Sequence, residues 1–165
     1  VGTIASPRFI VDHNVGKLAR WLRMMGYDTR LFSGENDSHM VALAQKEDRV
    51  ILTRDTQIMK RRVVTSGQVA AILIEGDDPE RQIRQVITTL NLDPQSRAFT
   101  LCLECNHPLV ARSKDEVAEL VPPYVFRTQN QYMACPSCHR IYWRGTHWQA
   151  MTEKLKAFMK GPTEN

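Results

Sequence analysis

Val50-Ile-Leu-Thr-Arg-Asp55 is a continuous apolar run closed by an acid. Its aliphatic residues do not alternate with polar ones, so it predicts a strand buried on both faces, as in a parallel sheet layered between helices. Two more stretches read the same way: Arg8-Phe-Ile-Val-Asp12, which also ends on a carboxylate, and Ala70-Ala-Ile-Leu-Ile-Glu75. Tyr27 to Phe32 is a further strand. Between the strands the period changes to that of helices. Leu18, Trp21, Leu22 and Met25 make one apolar stripe, with Lys17, Arg20 and Arg23 off it and Gly26 as the stop. After the polar turn Ser33-Gly-Glu-Asn36, Asp37 is placed to cap a helix over about Ser38 to Lys46. Asp78 and Pro79 open another, with Ile83, Val86, Ile87 and Leu90 on its buried face. Strands alternating with helices predict an α/β fold with a mostly parallel sheet over residues 1–93.

Residues 94–100 read as a polar, proline-containing linker, and 101–165 as a second, smaller module. The chain's four cysteines fall in that module as two Cys-x-x-Cys pairs, Cys102 with Cys105 and Cys135 with Cys138. Each pair puts two thiolates on one tight turn, so two turns supply the tetrahedral four-sulfur set of a closed structural zinc site. Such a site leaves no coordination position for substrate. Two disulfides would require an oxidising compartment, and a thioredoxin-type dithiol would be one pair beside a βαβ unit; both are weaker readings. Short strand-like pieces flank the cysteines, with little helical pattern between the pairs. An amphipathic stretch from Trp148 to Met159 forms a helical tail.

In 165 residues, 42% hydrophobic, there is enough apolar material for a core and no run of about 18 apolar residues to span a bilayer. The expectation is a soluble, cytoplasmic protein without membrane contact. Because residue 1 is not methionine, preceding sequence stays open. The formal charge of +4 leans toward an anionic partner; four thiolates and one Zn²⁺ would lower it by two, to about +2. There is no phosphate-binding Gly-x-x-x-x-Gly-Lys loop, no Gly-x-Gly-x-x-Gly, no Gly-x-Ser-x-Gly elbow and no His-Glu-x-x-His among the histidines at 13, 39, 107, 139 and 147. His139, directly after a cysteine, reads as a neighbour of the ribbon.

In an open parallel sheet, ligands bind at the carboxyl ends of the strands. Asp12 and Asp55 stand there, and Asp37 at a helix start can join them. Three convergent carboxylates repel one another unless a divalent cation with oxygen ligands, Mg²⁺ or Mn²⁺, lies between them. Each acid has a plainer role open to it: Asp37 as a helix cap, Asp55 as a cap of the turn from Thr56 to Lys60, and Asp12 as a solvated strand end. Asp77 and Asp78 read as turn and cap. Lys17, Arg20 and Arg54 are candidates for holding a phosphate backbone, or solvated surface charges. In the ribbon, Tyr132, Tyr142, Trp143, Arg144 and Trp148 are candidates for stacking on single-stranded bases; the plainer reading makes at least one of Trp143 and Trp148 core of a module too small to build one without them.

Beyond this physical reading, Phe9-Ile-Val-Asp12, Gly16-Lys-Leu-Ala-Arg-Trp-Leu-Arg23, Gly26-Tyr-Asp28 and Arg49-Val-Ile-Leu-Thr-Arg-Asp55 resemble the PIN-like ribonuclease family named for the C-terminus of the Mut-seven protein. The likeness continues through both cysteine pairs into Cys135-Pro-Ser-Cys-His-Arg-Ile-Tyr-Trp-Arg-Gly-Thr-His-Trp148, covering about Arg8 to Met151. It implies a PIN-like domain followed by a four-cysteine zinc ribbon, with metal-dependent RNA cleavage at Asp12, Asp37 and Asp55. The fourth acid of PIN nucleases has only Asp77 or Asp78 as counterparts, and His13-Asn14-Val15 departs from the family's usual residues.

The leading expectation is an endoribonuclease with structural zinc and catalytic Mg²⁺ or Mn²⁺. A rival from another class is a non-catalytic RNA-binding or ribosome-associated module with a degenerate acidic site. A third is a toxin whose partner is a small antitoxin.

Overall fold

A computed structural model describes residues 6–34 and 36–159. Residues 1–5 of the expected first domain, Glu35 of the expected turn, and residues 160–165 of the expected tail lie outside the described residues. Strands β1 (Arg8–Asp12), β2 (Thr29–Phe32), β3 (Arg49–Thr53) and β4 (Ala71–Leu73) form one sheet in the order β2-β1-β3-β4, every pair parallel. The helices between them are α1 (Lys17–Met24), α2 (Asp37–Glu47), the single turns α3 (Thr56–Met59) and α4 (Arg62–Thr65), and α5 (Pro79–Leu90). A short 3-10 turn at His13–Val15 joins β1 to α1.

The two central strands are buried on both sides, as their apolar runs predict. Phe9, Val11 and Leu52 share a core with α1 and α5. Ile10 and Ile51 point the other way, into a core with Met40, Val41 and Ala44 of α2 and Ile58 of α3. This is the strand period of two written into packing, and each fully buried aliphatic side chain contributes about 1.5–3 kcal/mol of transfer free energy. The order 2-1-3-4 places the topological switch point between β1 and β3, where the chain leaves one strand for helices on opposite faces.

Helix ends follow local chemistry, with one correction. Asn36, not Asp37, caps α2: its side-chain oxygen accepts from the backbone of Ser38 at 2.9 Å and His39 at 3.3 Å. Asp37 is therefore the first helical residue and its carboxylate is released from capping. Asp78 caps α5 ahead of Pro79 as the sequence predicts. Gly26 ends α1 with φ +89°, and a Cβ there would lie 2.1 Å from the carbonyl oxygen of Arg97.

The second half holds a three-stranded antiparallel sheet, β5 (Val110–Arg112), β6 (Tyr132–Ala134) and β7 (Ile141–Tyr142), in that order. Between the cysteine pairs lie two short helices that the sequence reading did not anticipate, α6 (Lys114–Val117) and α7 (Pro123–Thr128). Ser113 and Glu116 close a reciprocal capping box on α6. At four and six residues, neither helix is long enough to display a 3.6-residue period. Val117, Val121 and Val125 pack on Tyr132, whose hydroxyl donates to the carbonyls of Val125 and Gln129. Tyr132 is 1% exposed, so it is core and not a stacking surface.

The last helix, α8 (Thr146–Met159), returns to the first half. Its Met151 and Leu155, together with Leu103, belong to the same buried cluster as Leu18, Leu22, Ile83 and Val86. In the 94–100 stretch, Phe99 is buried, its ring edge-on to Trp148 at 4.8 Å. Among the described residues no helix is long and apolar enough to cross a membrane.

Gly26→Ala should destabilise the fold markedly. A left-handed non-glycine residue costs about 1–3 kcal/mol, and the clash with Arg97 adds to it. Gly67→Ala, at φ +83° with open space around it, is expected to show the backbone cost alone, so thermal unfolding of the two variants separates strain from collision.

Candidate active site and four-cysteine centre

The carboxyl ends of β1 and β3 are joined by side chains. Asp12, 8% exposed, accepts from the Thr53 hydroxyl at 3.1 Å, and that hydroxyl in turn accepts from the backbone N–H of Asp55 at 3.0 Å. Thr53 thus fixes the spacing of the two acids, a role its place in an apolar run did not reveal. The other oxygen of Asp12 lies 3.1 Å from His13 Nδ1 and 3.5 Å from the backbone N–H of Asn14. Asp55 does cap α3, accepting from the N–H of Gln57 at 2.8 Å, so the capping role and the site position coincide. Asp37 is drawn to the same place. Burial pushes its carboxyl above the ordinary range, the neighbouring Asp55 carboxyl raises it further, and Asp12 adds to this while Arg61 opposes it. Arg61 is itself held by Ser38, to whose hydroxyl it donates at 2.9 Å.

A cleft of about 390 Å³ opens beside the acids, lined by Asn14, Lys17, Arg54, Asp77 and Gln82 among others. Arg54 and Asp77 form an ion pair across it. Asp78 is committed to capping α5, accepting from Glu80 N–H at 3.3 Å. Of the four cations expected to bind RNA, Lys17 and Arg54 are on this cleft. Arg20 is paired with Glu104 at 2.6 Å, and Arg144 stands over the Phe99 ring at 5.1 Å; both lie on the ribbon side. A larger cavity, about 530 Å³, lies along α5 with Arg81 and Arg84; neither it nor the cleft is lined by Asp12, Asp37 or Asp55 themselves.

Among the described residues, the tight metal-type cluster is the four cysteines. The three acids are neighbours without being drawn to that spacing. The ligand atoms of Cys102, Cys105, Cys135 and Cys138 all lie within 4.8 Å of one another, with Cys102 and Cys138 3.7 Å apart. A zinc tetrahedron with bonds near 2.3 Å has edges of about 3.8 Å, so the set has the dimensions of a zinc site. None of the four is bridged in a disulfide. The two turns are built alike. The second cysteine's N–H donates to the first one's sulfur at 3.4 Å in both, and the first cysteine's carbonyl accepts from Asn106 or His139. Asn106 and His139 take φ of 63° and 66°, so His139 is a turn residue of the centre. The backbone N–H of Arg140 leads in lowering the Cys138 thiol to about 6, while contact with Cys138 pushes the Cys105 thiol up to about 12.

Arg23 connects this centre to the first half. The helical stripe placed it on the polar side of α1, yet it is 8% exposed. Its guanidinium donates to the carbonyls of Thr29 at 3.0 Å, Leu103 at 3.0 Å and Glu104 at 3.2 Å. Burial lowers its pKa, while the sulfurs of Cys102 and Cys105 are among the groups that favour its charge. Asn106 makes a second tie, accepting from Thr29 N–H at 2.9 Å and donating to Asp28 at 2.7 Å.

Fold and site together define a PIN-like α/β domain followed by a four-cysteine ribbon. The model of the family described as the Mut7-C RNAse domain matches residues 7–155, and the chain belongs to that family. The family's description makes the chain ribonuclease-like. No match is found among curated proteins or among solved structures.

The crowding of Asp37 has a measurable consequence. Its folded pKa is raised, so the native state holds a proton that the unfolded chain releases, and stability falls as pH rises from the unfolded carboxylate value through the folded one. Without divalent ions, Asp37→Asn is expected to raise the thermal midpoint at neutral pH and to lose that gain below the carboxylate range.

Proposed function

We propose that this chain is a metal-dependent endoribonuclease that hydrolyses RNA phosphodiesters at Asp12, Asp37 and Asp55, with structural zinc held by Cys102, Cys105, Cys135 and Cys138. The observation that carries the first part is the crowding of the Asp37 carboxyl by Asp55 and Asp12 at the switch point, which adds to the effect of its burial. A carboxyl crowded by other acids in this way is a poor structural device and a good cation site.

The donor set is all oxygen, which suits Mg²⁺ or Mn²⁺. When bound, such an ion supplies an acidified water and offsets charge on the phosphate. The chain's own residues do the positioning. Thr53 holds Asp12 and the Asp55 backbone in register. Lys17 and Arg54 on the cleft bind phosphate oxygens next to the acids, Arg54 exchanging Asp77 for the substrate. His13, beside Asp12 with a half-exposed ring, keeps the carboxylate oriented.

A non-catalytic RNA-binding role is favoured by a specific observation: the acids are not closed to metal-ligand spacing, and Asp77, the exposed acid on the cleft, is already paired with Arg54. Cleavage of single-stranded RNA with added Mn²⁺ distinguishes the readings. The double variant Asp12→Asn with Asp55→Asn should lose more than the ~10–100-fold that changes outside the first ligand layer cost. Wild-type RNA binding without cleavage would favour the rival, and cleavage surviving the double change would remove these acids from the site.

The cysteine centre makes its own prediction. Elemental analysis should find one zinc per chain, absent in Cys135→Ser. That variant should also lose near-UV signal from Tyr142 and the ribbon tryptophans, because a metal-built turn carries its folding energy in the metal bonds.

A further inference from the structure

Lys17 and Arg20 sit three residues apart on α1, on one helix face and about 4.5 Å apart along its axis. Lys17 lines the acid cleft. Arg20 lines a different cavity, about 180 Å³, on the ribbon side, together with Leu103, Tyr142, Trp143, His147 and Trp148. The two cavities are therefore successive stations along one exposed face of α1.

The second cavity is built before any ligand arrives. Trp148 is held by edge contact with Phe99 at 4.8 Å. The Trp143 indole lies over Gly145, where a Cβ would come within 3.0 Å of its ring nitrogen. The Tyr142 hydroxyl contacts the Cys102 sulfur at 3.1 Å and accepts from Leu103 N–H at 3.2 Å, which anchors the cavity to the cysteine centre. Aromatic side chains already fixed in this way lose little entropy on binding. Arg20 adds a cation, paired at present with Glu104. Both partners of that pair are close to half exposed, and such a pair is worth only about 0–1 kcal/mol, so a phosphate can replace the carboxylate.

We propose that this cavity takes one unpaired base of an RNA strand, stacked among Trp143, Trp148 and Tyr142, with its phosphate on Arg20 and the neighbouring phosphate on Lys17 at the acid cleft. The assignment rests on the ribonuclease reading and adds a base subsite to it. Aromatic faces beside a cation suit a nucleotide, since every base has a face to stack and carries its own phosphate. A duplex cannot use the site, because its bases are already stacked and paired.

Fluorescence anisotropy of the whole protein, zinc-loaded and without Mg²⁺ or Mn²⁺, tests this with a labelled single-stranded hexanucleotide, the same strand carrying abasic residues, and a short RNA duplex. Trp143→Ala is expected to weaken binding of the intact strand about tenfold, and Trp143→Phe to retain most of it. On the wild type the abasic strand should bind correspondingly weakly, whereas duplex binding should be the same for all three proteins. Intact and abasic strands binding the wild type equally would overturn the inference, as would an undiminished affinity of Trp143→Ala. Zinc content and thermal midpoint report whether Trp143→Ala is folded; where it is not, the abasic comparison on the wild type decides alone. A pocket indifferent to bases in a protein that still binds and cleaves RNA sinks this inference and leaves the ribonuclease reading standing, while a wild type that neither binds nor cleaves RNA sinks both.

Discussion

The buried guanidinium of Arg23 is the contact on which the arrangement of the two halves depends. It rises from α1, takes one carbonyl at the start of β2 and two from the first cysteine turn. A buried cation must be paired or fully hydrogen-bonded, because leaving it without partners costs several kcal/mol. Arg23 satisfies that demand only while the Cys102 turn is seated against α1. The sulfurs of Cys102 and Cys105 favour the charged guanidinium beside them. Cation and centre therefore hold each other in place, and α8 closes the arrangement by burying Met151 and Leu155 in the core of the first half.

Docking the ribbon this way also orders the surface that faces a ligand. α1 presents Lys17 to the acid cleft and Arg20 to the aromatic cavity. Its inner stripe is buried against β1 and α5, and Gly26 ends it where the chain passes within contact of Arg97. Helix and ribbon thus behave as one platform. The stability sits in the cores, while the acids at the switch point work against it, as the raised Asp37 shows. Unfavourable electrostatics is thus confined to one end of an otherwise satisfied sheet, the kind of place where functional sites cluster.

Much of this was legible in the residues. The apolar runs ending in Asp12 and Asp55, the stripe of α1, the Asp78-Pro79 helix start and the paired cysteines each depend on neighbours in the chain, and each stands where expected. What was misread depended on partners far away. Arg23 looked solvated because the turn that covers it comes 80 residues later. Tyr132 looked available for stacking because the short helices that bury it were too brief to show a period. Asn36 and Asp37 are both capping residue types, and only the extended backbone of Asn36, φ −96° and ψ 105°, chose between them. Arg20 and Arg144 looked like neighbours of Lys17 and Arg54, but the fold sets them on the ribbon side, beside Glu104 and Phe99.

By itself, then, the sequence determined the parallel strands and the longer helices between them, the cysteine centre and the family, because periodicity, capping and ligand spacing are short-range properties that every residue carries with it. The tertiary structure alone decided which charges meet. It gathered Asp37 toward Asp55 and Asp12, paired Arg54 with Asp77, buried Arg23 under the cysteine turn and set two tryptophans around one cavity. Such pairings follow from how layers pack and where the chain reverses between β1 and β3, and electrostatic energy depends on the resulting distances in space, which spacing along the chain does not encode.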